Sequence, residues 1–192
     1  MQLFSIALAA SGFLLLSVDA QIEITNSTYR LQIHENGRVA YVKLSPAEYA
    51  RWSAMTPTAA DRTNLTHSLY RCFQDTFDFI LFINDQSISL VGTAGRNYPV
   101  KNTVQGLGKS LFDNSATWGS TGTLQSVIHL QTKEALTGGP SLHELLHQWG
   151  MSLTTVPTAD VSHWGYSSAG GQLGGWAHGT LVHLGGNQYD AD

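Results

Sequence analysis

Two runs with regularly placed apolar positions, residues 29–34 and 39–43, flank Asn36-Gly37. That dipeptide predicts a hairpin closed by a two-residue turn, because both turn positions need positive φ. Ser45-Pro46 follows, an N-cap residue and then proline at the first helical position, and predicts a short helix over 47–53. Residues 54–67 are rich in Thr, Ala and Asn and predict a loop or a weak helix. The run 77–84, FDFILFIN, is almost wholly apolar and ends at Asp85, the pattern of a buried central strand. Gly, Ser, Asn and Thr then dominate residues 91–124, which predicts irregular chain with short edge strands, and 124–130 is the next strand. Thr137-Gly138-Gly139-Pro140-Ser141 breaks the chain ahead of a helix in which Leu142, Leu145, Leu146 and Trp149 form a core-facing stripe at i, i+3, i+4 and i+7. Ser141 is the expected N-cap of that helix and Gly150 its expected stop. Strands followed by one strong helix behind a buried strand predict an α+β (mixed α/β) domain.

The first twenty residues stand apart. Positions 3–18 are nearly all apolar, and Val18-Asp19-Ala20 places small residues where a signal peptidase needs them. Residues 1–20 therefore predict a secretory leader, with Gln21 as the mature N-terminus and 21–192 as a single domain. The run lacks a preceding Lys or Arg, and a short membrane anchor is the alternative. Nothing else in the chain is apolar enough to span, so no membrane association is expected once the leader is cleaved.

Composition narrows the classes. A chain of 192 residues is about one domain, and 42% hydrophobic against 12% charged residues argues against disorder. The net charge of −4 provides no basic surface for a phosphate backbone, so no nucleic-acid partner is expected. A single cysteine, Cys72, excludes an internal disulfide framework. Asn26-Ser27-Thr28 and Asn64-Leu65-Thr66 are glycosylation sequons, relevant only in a host that glycosylates. The charge distribution is lopsided: the 59 residues from Glu134 onward hold no Lys or Arg but five of the eight histidines, which suits a bound cation.

Residues 143–147 read His-Glu-Leu-Leu-His. On a helix His143 and His147 share a face one turn apart and can reach one Zn²⁺ at ~2.0–2.1 Å. Glu144, beside the first ligand, is placed to act as general base on a water. Such a string arises by chance in a chain this long at roughly the one-per-cent level. An ordinary amphipathic helix opened by a Ser141–Glu144 capping box accounts for Ser141 and Glu144 and leaves the histidines unexplained.

HELLHQWG resembles the active-site helix of the zincin metallopeptidases. Residues from Phe77 through Val100-Lys101-Asn102, Gln105-Gly106, the 124–130 strand, Ser141-Leu142-His143-Glu144 and His163-Trp164-Gly165 also resemble secreted, mostly bacterial, zincin-like proteins whose substrate is not established. The resemblance covers roughly residues 70–190. It implies a twisted mixed sheet with the HExxH helix behind it, a bound Zn²⁺, and hydrolysis of a protein or peptide substrate. The resembling proteins continue past residue 192, so a chain truncated at its C-terminus is one expectation. The third ligand departs from the metzincin pattern, which would put histidine where Leu153 stands. No glutamate follows Glu144, so Asp160, Asp190, Asp192, His163, His178 and His183 remain as candidates. His163 is preferred, flanked by Trp164 and Gly165. Asp160 is the alternative, either as an aspzincin-like ligand or as a partner to a ligand imidazole. Tyr166 is a candidate oxyanion donor, with a plain core or surface tyrosine as its alternative. His34, His67 and His129 are expected to be structural, and Trp149, Trp164 and Trp176 to be core or cleft wall.

These residues predict a secreted zinc endopeptidase with His143, His147 and His163 as metal ligands and Glu144 as catalytic base. A non-catalytic extracellular binding or adhesion module on the same fold is the alternative, and a hydrolase of non-peptide amides shares the site.

Overall fold

The apolar run after residue 77 forms a strand at the middle of a sheet covered on both faces. In the computed structural model, residues 2–9, 22–25, 29–34, 39–85, 94–137, 139–150, 163, 181–186 and 188–191 are described. The elements are β1 (Gln2–Ala9), β2 (Ile22–Thr25), β3 (Arg30–His34), β4 (Val39–Leu44), α1 (Pro46–Ser53), α2 (Ala59–Tyr70) and β5 (Phe79–Asn84). After these come β6 (Gly95–Pro99), β7 (Lys101–Asn102), β8 (Phe112–Asp113), β9 (Ser126–Leu130), α3 (Pro140–Leu146), β10 (Leu181–Gly185) and β11 (Gln188–Ala191). Seven strands make one sheet in the order β2-β3-β4-β1-β5-β9-β6. β5 and β9 run parallel, and every other neighbouring pair is antiparallel. The molecule is thus mixed α and β. Among the described residues no helix is long and apolar enough to cross a membrane.

Successive side chains of a strand point to opposite faces, and β5 uses both. Ile80 and Phe82 enter a core with Leu31, Val42, Trp52, Leu65, Leu69 and Val127, under α1 and α2. Leu81 and Ile83 join Ile128, Leu130, Ala135 and Leu145 of α3 on the other side. A strand buried on both faces reads as a continuous apolar run, which is why 77–84 shows no alternation.

The hairpin β3–β4 forms with His34 opposite Val39; its Asn36-Gly37 turn lies outside the described residues. α1 is capped by Ser45, whose hydroxyl accepts from the Glu48 N–H while Glu48 accepts from the Ser45 N–H. The predicted loop or weak helix at 54–67 resolves as the twelve-residue α2, opened by a second capping box between Thr58 and Asp61. Its apolar stripe is thin, mainly Leu65 and Leu69, and Thr63, Thr66 and Ser68 turn their hydroxyls back onto carbonyls of the same helix.

Residues 2–9, expected in a leader outside the fold, form β1 between β4 and β5, with Ile6 opposite both Ala40 and Phe82. A short apolar run suits a leader and a central strand equally, and its periodicity does not separate the two. The sequon Asn64 lies on α2 and is exposed, whereas Asn26 lies outside the described residues.

Candidate metal centre

α3 begins differently from the expectation. Gly139, at φ 109, is the N-cap and supplies no side chain, and Pro140 takes the first helical position. Ser141, expected as N-cap, is one residue inside the helix and donates instead to the Leu136 carbonyl at 2.8 Å. The Ser141–Glu144 capping box is therefore not formed. The helix ends at Leu146, with His147 as its cap, ahead of Gly150, whose φ is not positive.

The buried face of α3 is also not the leucine stripe. Leu142 is 47% exposed, whereas Glu144 and Gln148 are 6% and 0% exposed. Those two lie one turn apart and face β6 and β7. Asn97 of β6 donates its side-chain amide to the Glu144 carbonyl at 2.6 Å, and Gln148 donates to the Lys101 carbonyl at 2.7 Å. Of the expected stripe, Leu145 packs into the second core and Trp149 meets Phe79 edge-on at 5.8 Å. A polar face buried against strands finds hydrogen-bond partners there, a preference that apolar periodicity does not register.

This placement sets the two helix histidines and a third together. His143 Nε2 lies 3.0 Å from His147 Nε2 and 3.2 Å from His163 Nε2. One nitrogen from each of the three falls within 4.8 Å of the others, a group that can hold a metal ion. A tetrahedral ion with bonds of ~2.0–2.1 Å separates its ligand atoms by about 3.3–3.4 Å. The chemistry of the set fits as well: one ring nitrogen can donate one hydrogen or offer one lone pair, whereas a cation accepts lone pairs from all three. Three imidazoles suit Zn, Cu, Fe or Ni rather than Mg or Ca.

Glu144 stands beside the group without joining it, its Oε1 4.0 Å from His143 Nε2. Burial pushes its carboxyl up to about 7, opposed by the Asn97 backbone N–H and by the charges of His163 and Arg96. No protein-family model, curated protein or solved structure matches this chain. The local geometry therefore carries the functional argument.

The other candidates fall elsewhere. Asp160, Tyr166, His178, Asp192, Trp164 and Trp176 lie outside the described residues. Asp190 is placed only as a backbone position in β11. His183 on β10 is exposed and meets the Gly186 carbonyl at 2.9 Å within its own hairpin. His67 meets the Thr117 carbonyl at 3.1 Å, and His129 is fully buried edge-on to Trp52 at 5.1 Å. Its burial holds His129 far below the ordinary histidine range, at about 3. Cys72 is half-buried, with its thiol pushed up by that burial. Gly95, Asn97 and Gln148 escape the sequence pattern. The one available signal was a glycine opening a strand, which marks a close approach.

Proposed function

We propose that this chain is a zinc-dependent peptidase of the zincin kind, acting on a protein or peptide substrate outside the cell. The observation that carries the proposal is the convergence of His143, His147 and His163 beside the buried carboxyl of Glu144. The three Nε2 atoms would hold the ion. Zinc supplies a Lewis acid that polarises the scissile carbonyl and lowers the pKa of a water toward ~7. Glu144 is not needed as a ligand and is free to handle protons. Glu144 takes a proton from the attacking water at Oε1 and returns it to the departing amine nitrogen. The sheet face and α3 exclude water from one side of that carboxylate and leave the histidine edge half-exposed, as turnover requires. Export rests on the apolar run 3–18 and on Val18-Asp19-Ala20.

Glu144→Ala tests the proposal. The variant should retain about one zinc per chain and lose cleavage of a fluorescent casein substrate by several orders of magnitude, because a base is removed and no ligand is. Equal cleavage by wild type and variant would refute the mechanism. Zinc bound by a wild type that cleaves nothing would favour the binding or adhesion module.

A further inference from the structure

β6 meets α3 at residue 144 through two neighbouring positions. A Cβ on Gly95 would sit 2.7 Å from Glu144 Cγ, 3.0 Å from its Oε1 and 3.1 Å from Leu130 Cδ2. Gly95 has no left-handed backbone to accommodate, so its conformation does not call for glycine. The space does. Glycine is disfavoured in strands, and Gly95, the first residue of β6, stands where another group approaches closely. Two residues along, on the same face of β6, Asn97 bonds the Glu144 carbonyl and also reaches Ser126 Oγ at 3.2 Å. One position thus limits where the Glu144 side chain lies, and the other ties its main chain to the sheet.

We propose that Gly95 and Asn97 are positioning residues for the Glu144 carboxylate, the first by leaving it room and the second by fixing the helix backbone beneath it. The proposal rests on the peptidase reading for its catalytic consequence only. The clash introduced at Gly95 falls on Cγ and Oε1 of Glu144 and on Cδ2 of Leu130, side-chain atoms and not backbone. An added methyl therefore displaces the carboxylate more readily than it displaces the helix. Neither residue belongs to the group of three histidines that can hold the ion, so the metal group should survive both substitutions.

The test has an activity arm and a structural arm. Gly95→Ala should fold, bind about one zinc as wild type does, keep its KM for casein peptides and lose roughly 100-fold in kcat, the scale expected of an ~1 Å misplacement. Asn97→Ala, which adds no bulk, should lower kcat about 10-fold with zinc content unchanged, and it keeps the test available if Gly95→Ala does not fold. Independently of turnover, a crystal structure of either variant without metal should show the Glu144 carboxylate moved by about 1 Å while His143 and His147 keep their places. A carboxylate in its original position, or an unchanged kcat in both variants, overturns the proposal. A wild type without peptidase activity removes only the catalytic reading, because the crystallographic arm still decides whether β6 sets the carboxylate.

Discussion

His129 and His163 show how one residue type serves opposite ends. His129 is enclosed by the core under α1, so its neutral form is favoured and its pKa falls to about 3. The unfolded chain binds a proton there below about 6.5 and the folded chain does not, so folding stability falls as pH drops from about 6.5 toward 3. At most one proton is involved, a slope of about 1.4 kcal/mol per pH unit. Urea unfolding at pH 4 to 7 should show this slope in wild type and a shallower one in His129→Leu. His163 sits instead at a half-exposed edge against two other imidazoles. His163→Ala should abolish tight zinc binding, whereas Asp160→Asn should keep the metal with affinity or activity ~10–100-fold weaker. Zinc content after dialysis distinguishes them, and the reverse ranking would give the ligand role to Asp160.

At the scale of elements, caps and clasps carry much of the order in polar segments. α2 has few apolar residues, and the reciprocal Thr58–Asp61 bonds at 3.0 and 2.9 Å secure its first turn. Thr58→Ala should cost ~1 kcal/mol, lowering Tm by about 2–4 °C in calorimetry, while Thr58→Ser should be near neutral. Beyond α2, Asp75 gathers the 120–123 loop through Oδ2, which accepts from Ser120 Oγ, Thr121 N–H and hydroxyl, and Thr123 N–H. These donors hold its carboxyl below the usual range despite the opposing desolvation. That contribution is complete above the unfolded carboxylate pKa near 4 and is lost as pH falls through the depressed value. Asp75→Ala should destabilise by about 1–3 kcal/mol, and hydrogen exchange should localise the loosening to residues 120–123.

The whole molecule turns on a sheet that places helices on both faces, α1 and α2 over one core and α3 over the other. β1 is bonded to β4 on one side and β5 on the other. If export removes residues 1–20, it also removes that strand and leaves two unpaired edges to be covered anew. N-terminal sequencing of exported protein should find Gln21. Between the full chain and one beginning at Gln21, the full chain should show the higher Tm and slower amide exchange along β4 and β5. Equal exchange would mean that the shorter chain closes the seam by itself.

Some of this was legible from local chemistry alone. Asn36-Gly37 announced the β3–β4 hairpin, Ser45-Pro46 the start of α1, and the unbroken run at 77–84 a strand covered on both sides. The spacing of His143 and His147 put them on one helical face, since 3.6 residues per turn is a property of the backbone. The rest depended on what each segment meets. Leu65 and Leu69 made too thin a stripe to declare α2 until β-strands stood beneath them. α3 presents Glu144 and Gln148 to the sheet because Asn97 and Lys101 offer them hydrogen bonds, and those partners lie more than forty residues away in sequence. His163 meets the helix histidines from beyond the end of α3, a pairing that no local period encodes. Gly95 opens a strand as an ordinary glycine in the sequence; only the packed structure shows the glutamate that occupies the place of its missing side chain.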